Sequence, residues 1–585
     1  MATHSTRPAP ALQALQFGLA CLGGDRSRRR WLANWLELLP PRFSVTVKRK
    51  QPIPMRDGRV LLANFYFPKT RETFPTILIR SPWGRGWEKP PFSLVYMFLA
   101  QRFAEQGYRV VVQSTAALSF ETNLSPASEM PDSQDTLTWL AEQPWFNGVL
   151  GMWGPSILGS ILWAIATNAP PFLKALVPSI TTANWRDLYY EGEVFHLADV
   201  LMLLNMLSRV QPRCWRKSAP KAEVERKKGL QAAFLHLPVC EADVVALGRA
   251  LPGAYGAVLN HPQEDDPFWH GTNHRSTLKQ IALPTHLVGG WHDIFLRALL
   301  TDYATLKEGQ HTPYLTIGPW GHMSPAVGWE SLRQALAWFD AHLKDRPQQL
   351  RPLPVRLYVM GSNVWREFPS WPPTDQIHER SYYLHADRQL LQEAPATRTG
   401  AVVDQYQYDP ADPTPSIGGP LLDPGLAGQR DQRALEARPD VLCYTTPVLE
   451  HPVTVVGSGR LVLSVHSTAP STDFVGRVCD VSPDGRSMNV CDGLLRLHLG
   501  EEKNQAQQDG SRRIEIELWP TAYTFLAGHR LRLQVSSAAH PRWNRNLGTG
   551  EPPADATHLM VATQTLYHDV SHPSTLILPV EGVPV

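Results

Sequence analysis

Short apolar runs punctuate the first part of the chain. Residues 76–79, 109–112, 150–153, 175–177, 285–288 and 314–317 are mostly apolar or β-branched and show no alternating polar face. Such runs are typical of parallel strands covered by helices on both sides. Longer stretches separate several of them, and residues 94–106 and 136–142 carry helical spacing. Apolar strands alternating with helices predict a doubly wound α/β domain. Ahead of it, Ser44-Val45-Thr46-Val47-Lys48 alternates and reads as a strand, and Asp57-Gly58 is a hairpin-turn signal within residues 55–60.

The rhythm breaks between 184 and 275. Residues 197–207 (LADVLMLLNML) read as a helix, and residues 209–228 are basic through Arg213, Arg216, Lys217, Lys221, Arg226, Lys227 and Lys228. This predicts an inserted helical cap. The basic run reads first as a solvated helix face, with an anionic partner as the alternative. Leu332, Leu336, Phe339 and Leu343 keep helical spacing and close the α/β part near Asp345. Beyond it, residues 355–359, 460–466, 474–481, 494–499, 514–518 and 530–536 read as strands, with turns at Pro483-Asp484-Gly485 and Gly457-Ser458-Gly459. Short strands without helices predict a β-sandwich of jelly-roll type. The expected division is an N-terminal extension (1–43), an α/β domain (44–183 and 276–346), the cap (184–275) and the jelly-roll (347–585).

Composition sharpens this outline. At 585 residues, 43% hydrophobic and 19% charged, the chain is long and apolar enough for several packed domains. Fourteen of its 52 prolines fall between 347 and 447, where the α/β part is expected to give way to loop-rich β structure. The net charge of +2 gives no reason to expect nucleic acid. No run of eighteen apolar residues offers a membrane span. The apolar segment 11–22 is broken by Gln13 and Gln16, and its basic run follows rather than precedes it. A docked or partly ordered N-terminal helix through Trp31–Leu39 is therefore expected rather than a signal peptide. Six scattered cysteines without a CxxC pair fit a reducing compartment, so a cytoplasmic location is expected and no metal site.

Gly154-Pro155-Ser156-Ile157-Leu158-Gly159 follows one apolar strand and opens a helix. Small residues at both ends permit a sharp strand–turn–helix elbow that projects the Ser156 hydroxyl from the top of the sheet. A serine can also simply cap a helix. As a nucleophile it needs a histidine to take its proton and a carboxylate to hold that histidine in the right tautomer. Two later strands run into Gly290-Trp291-His292-Asp293 and Gly318-Pro319-Trp320-Gly321-His322. Asp293 and His322 therefore fall just past strand ends, where ligands bind in open α/β sheets. The order Ser156, Asp293, His322 is that of α/β-hydrolases. His292 is the competing histidine. The Ile157 N–H is the expected first oxyanion donor, with a second from the loop Arg80-Ser81-Pro82-Trp83-Gly84-Arg85-Gly86.

These motifs resemble the cocaine esterase/X-prolyl dipeptidyl-peptidase family of serine hydrolases. The resemblance runs from about residue 48 almost to the end. It rests on Met55-Arg56-Asp57-Gly58, Ser81-Pro82-Trp83, Glu129, Asp132, Asp135-Thr136, Gln143-Pro144-Trp145, the serine and histidine motifs above, Tyr408-Asp409-Pro410, Thr472-Asp473-Phe474, Asp480-Val481, Pro483-Asp484-Gly485-Arg486, Asp492-Gly493, Arg496 and Gly528-His529-Arg530. It implies an α/β-hydrolase domain with an inserted helical cap and a C-terminal jelly-roll. It further implies ester or amide hydrolysis through an acyl-enzyme, without metal or organic cofactor. Three departures stand out. Trp83 replaces the tyrosine whose hydroxyl is the second oxyanion donor in that family. Ser114-Thr115-Ala116-Ala117 replaces its Asp-x-Arg-Gly. Ile157 replaces an aromatic residue.

The expectation is a serine hydrolase for a small ester or amide substrate. Glu191 and Glu193 are candidate partners for a substrate ammonium. Trp291 and Trp320 are candidate pocket walls, with Trp83, Trp87 and Phe195 beside them; each tryptophan is equally at home in a core. An X-Pro dipeptidyl peptidase, a β-lactam or amino-ester acylase, and a weakly catalytic binding protein on the same fold are the alternatives. The oligomeric state stays open, a homodimer included.

Overall fold

The structure is a computed structural model that describes residues 39–85, 92–115, 129–209, 220–309, 312–396, 402–500 and 507–582. Most of the N-terminal extension, Gly86, Trp87, Ala116, Ala117 and the centre of the basic run lie outside the described residues.

Strand β1 (Val45–Pro54) turns through Asp57-Gly58 into β2 (Val60–Pro68), with Gly58 at φ +84° as the turn requires. The apolar runs all become strands: β3 (Thr76–Ser81), β4 (Arg109–Ser114), β5 (Leu150–Pro155) and β6 (Leu173–Ser179). The two-residue strands β7 (Tyr190–Glu191) and β8 (Val194–Phe195) form a small ribbon in the cap, and the main sheet resumes with β9 (His286–His292) and β10 (Tyr314–Gly321). The sheet order is β1-β2-β4-β3-β5-β6-β9-β10, parallel from β4 to β10 and antiparallel at the β1–β2 edge. Helices α1 (Phe92–Glu105), α2 (Glu129–Ala141) and α3 (Ile157–Ala166) follow β3, β4 and β5. Close helix–sheet packing explains Gly151: a Cβ there would meet Leu343 and Phe339 at 2.8 Å.

The cap is anchored at a narrow neck. Asn184 bridges Asn273, the His274 N–H donates to the Ala183 carbonyl at 2.7 Å, and Arg275 pairs with Asp187 and Asp302 at 2.6 and 2.8 Å. Between these ends lie α4 (Leu197–Arg209), α5 (Pro220–Leu235) and α6 (Ala242–Leu247). After the neck, α7 (Leu296–Lys307) follows β9 and α8 (Pro325–Leu343) follows β10.

One boundary needs correction. Residues 355–359, expected in the jelly-roll, form β11 (Val355–Val359), which pairs in parallel with β10 through Leu315–Val355 and Ile317–Leu357. Antiparallel β12 (Val364–Phe368) then closes a sheet of ten strands among the described residues. The α/β sheet thus continues past residue 346. The sequence identified residues 355–359 as a strand but carried no information about which sheet it would join. Among the described residues, the remaining strands pack as antiparallel sheets of nine and four, the smaller ordered 442–445, 530–536, 471–481, 487–498.

Candidate active site

Ser156 sits between β5 and α3 with φ +54° and ψ −128°, a conformation that costs a non-glycine residue energy. Its neighbours leave no room for a looser turn. A Cβ at Gly154 would lie 2.7 Å from the Leu158 backbone, and one at Gly159 would lie 2.5 Å from the Thr181 side chain. The Ser156 N–H donates to the Ser179 carbonyl at 2.8 Å, which ties the elbow to β6. The half-buried hydroxyl is left facing His322.

His322 Nε2 lies 3.1 Å from Ser156 Oγ, and its Nδ1 lies 2.9 Å from Asp293 Oδ2. Asp293 is 1% exposed. Its other carboxylate oxygen accepts the Phe295 N–H at 2.7 Å, so the loop after β9 fixes the carboxylate from its own backbone. With Asp293 accepting at Nδ1, the imidazole carries its proton there and offers the Nε2 lone pair to the serine. Ile157 opens α3, so its N–H has no acceptor within the helix. Trp83 is buried, belongs to the same apolar cluster as Ile157, and donates its backbone N–H to Ser81 Oγ at 3.2 Å.

His292 is buried and points elsewhere. Burial brings its pKa down to about 4, and its ring faces Gly428 of the C-terminal domain, where a Cβ would lie 4.0 Å away. A loop of that domain therefore reaches the rim of the site. The Leu422 N–H donates to Asp199 of α4 at 2.8 Å, and burial raises the pKa of that carboxyl.

The four weaker pocket candidates do not behave as expected. Trp291 is core: its indole donates to the Tyr358 carbonyl at 2.7 Å and its ring packs on Trp371. Trp320 folds back over Gly318 and packs on Trp365. Glu191, expected to await an ammonium, is already occupied. Arg297 binds one of its oxygens, and the Trp519 and Trp543 indoles donate to it at 3.0 Å. His196 faces the same carboxylate at 3.9 Å, beyond hydrogen-bond reach. Burial would raise the Glu191 pKa, but His196 and the charges of Arg297 and Arg542 hold it at about 2. Glu193 is largely exposed and pairs with His498 at 3.3 Å. Sequence reading missed the aromatic residue that does flank the histidine and the tryptophan stacked on it. Phe295 packs edge-on against His322 with centroids 5.6 Å apart, and Trp185 stacks on Phe295. Phe295 follows Asp293 by two residues, so its nearness to the site was the available signal.

The chain supplies serine, aspartate and histidine in that order from the C-terminal ends of parallel strands, an arrangement that belongs to serine hydrolases of α/β-hydrolase fold. Residues 57–324 match the family X-Pro dipeptidyl-peptidase (S15 family), and residues 351–577 match the X-Pro dipeptidyl-peptidase C-terminal non-catalytic domain. A cocaine esterase of Rhodococcus sp. is 31% identical over 568 residues, covering 90% of this chain and 97% of the relative. A putative serine esterase of Mycobacterium bovis is 24% identical and covers 82% of this chain and 84% of its own. Among solved structures, an aminopeptidase from a marine sediment archaeon (Thaumarchaeota) superimposes with a TM-score of 0.77 at 23% identity, and an α-amino acid ester hydrolase with 0.76 at 23%. Each covers 92% of this chain and 97% of its own. The chain belongs to the cocaine esterase/X-Pro dipeptidyl-peptidase family. It is a serine hydrolase that cleaves ester or amide bonds.

Proposed function

We propose that the chain is a carboxylic ester hydrolase for small substrates whose acyl group is uncharged, with Ser156 as nucleophile. The observation that carries the reading is the unbroken relay from Asp293 through His322 to Ser156 Oγ. In acylation, Ser156 Oγ attacks the ester carbonyl carbon while His322 Nε2 takes its proton. Asp293 holds Nδ1–H and stabilises the imidazolium. The oxyanion of the tetrahedral intermediate is met by the Ile157 N–H, with the Trp83 indole N–H as second donor. The intermediate collapses as His322 returns the proton to the departing alkoxide. A water molecule then attacks the acyl-enzyme by the same route, releasing the acid and free Ser156.

The choice of an uncharged acyl group rests on what surrounds the relay. Phe295 provides an apolar flank beside His322, backed by Trp185 stacked on it. Glu191 and Glu193, the carboxylates offered for an ammonium, have other partners. Among the activities named for the relatives, hydrolysis of an ester such as cocaine therefore fits better than hydrolysis of an α-amino acid ester. The test compares kcat/KM for p-nitrophenyl acetate, butyrate and benzoate with that for amino-acid esters and Gly-Pro-p-nitroanilide, in the native protein and in Ser156→Ala. Neutral esters should be preferred and all turnover lost in the variant. A preference for the anilide or the amino esters would overturn the substrate reading.

A further inference from the structure

We infer that Thr181 is a positioning residue that locks the Ser156–Ile157 peptide, so that the Ile157 N–H stands ready for the oxyanion. The inference rests on the reading of Ser156 and Ile157 above and adds a residue to it.

The starting point is a strained backbone position beside the elbow. Ile180, the first residue past β6, has φ +40°. A β-branched side chain strongly disfavours that region, so the position is strained. Neighbouring contacts hold it there. The Ile180 N–H donates to the Val288 carbonyl of β9 at 2.7 Å, and the preceding carbonyl, of Ser179, accepts the Ser156 N–H at 2.8 Å. The turn at Ile180 swings the next side chain back over the elbow. Thr181 is 1% exposed, and its hydroxyl donates to the Ser156 carbonyl at 2.7 Å. Ser160 Oγ lies 3.3 Å from the same hydroxyl and also 3.3 Å from the Thr182 carbonyl.

The acceptor in that bond matters. The Ser156 carbonyl also receives the Gly159 and Ser160 N–H groups at 2.8 and 3.2 Å. It is the oxygen end of the peptide whose nitrogen end is the Ile157 N–H. A trans peptide is planar, so fixing the oxygen fixes the direction of the N–H at the other end. Hydrogen bonds to the carbonyl also polarise the peptide and strengthen its N–H as a donor, by roughly 10–30% per bond. Two of the three donors belong to any helix start. The third comes from a side chain in the loop after β6 and reaches its acceptor only through the strained turn. The Thr181 side chain also sets the space at Gly159, so its methyl has a packing role that must be separated from the hydroxyl's.

The experiment compares Thr181→Val, which keeps shape and loses the hydroxyl, with Thr181→Ser, which keeps the hydroxyl and loses the methyl. Steady-state turnover of p-nitrophenyl butyrate is measured alongside inhibition by phenylboronic acid, which forms a tetrahedral adduct on the serine. For Thr181→Val, kcat and kcat/KM should fall together about tenfold with KM within twofold, the pattern of an interaction made in the transition state. Phenylboronate affinity should fall in parallel, while Thr181→Ser stays within threefold of the native protein in both assays. Equal losses in the two variants would assign Thr181 to packing and overturn the proposal. Unchanged kcat/KM in Thr181→Val would overturn it as well. Should Thr181→Val fail to fold, Thr181→Ala read against Thr181→Ser decides the question by the same ratio. Ser156→Ala is run beside them. If it kept full turnover, the failure would lie with the nucleophile rather than with Thr181.

Discussion

Glu191 offers the sharpest perturbation, because two readings of it predict opposite results. Its carboxylate joins three parts of the molecule: the cap strand that carries it, Arg297 of α7, and Trp519 and Trp543 of the C-terminal domain. The two indoles also flank the Arg542 guanidinium at 4.6 and 4.0 Å, and Asp492 binds Arg542 from behind. Glu191→Gln keeps the shape and removes the charge. Breaking one side of a buried ion pair costs about 3–5 kcal/mol. Arg297 keeps Glu517 as a second partner and is partly exposed, which places the loss at the low end. The pKa drop from 4.5 to about 2 corresponds to a similar ~3 kcal/mol. With an unfolding entropy of about 2.1 cal/mol/K per residue, that loss lowers Tm by about 2–3 °C if the chain unfolds as one unit. Thermal denaturation is followed by circular dichroism at pH 7.5, and kcat/KM is measured for matched amino and neutral esters. The expected result is a lower Tm with the ratio of the two substrates unchanged within twofold. An unchanged Tm together with a tenfold selective loss on the amino ester would refute the reasoning, since the carboxylate would then face the substrate.

Other outcomes follow from the same geometry. Asp293→Asn should lower kcat for p-nitrophenyl butyrate about 10⁴-fold with little change in KM, because the amide leaves the imidazole in the wrong tautomer. A Cβ at Gly159 would sit 2.5 Å from Thr181, so Gly159→Ala should lose at least ~2 kcal/mol in denaturant titration together with most of the activity. His292 carries a folded-state pKa of about 4 against 6.5. The unfolded chain therefore binds the extra proton between those values, and stability present above pH 6.5 is lost as pH falls toward 4, by ~3 kcal/mol from this group. His292→Gln should flatten the fall of Tm over that window; an identical slope would mean that other groups govern it.

The parallel sheet was legible because six buried strands left runs with no polar face. The elbow was legible for a different reason: Gly154 and Gly159 are demanded by contacts with residues close in space, and the pattern records them. Order along the chain then pointed to Asp293 and His322 among 21 histidines and many carboxylates. The limits of the sequence follow long-range contacts. Glu191 read as a free carboxylate because Trp519 and Trp543 lie more than three hundred residues away. Trp291 and Trp320 read as pocket walls because a tryptophan's partner is invisible until the fold brings Trp371 or Trp365 beside it. Val355–Val359 read as a strand but did not show its neighbour, so the sheet boundary fell one hairpin too early. Thr181 carried no motif; its role comes from one hydrogen bond set by a strained turn.

The central claim is that Ser156 is the nucleophile, and covalent labelling tests it most directly. The native protein is treated with a fluorophosphonate, digested, and the adduct located by mass spectrometry, with Ser156→Ala and His322→Ala treated in parallel. The account predicts one adduct, on the peptide containing Ser156, absent from Ser156→Ala and formed far more slowly in His322→Ala. An adduct on another residue, or a folded and unlabelled native protein that still turns over esters, would contradict it.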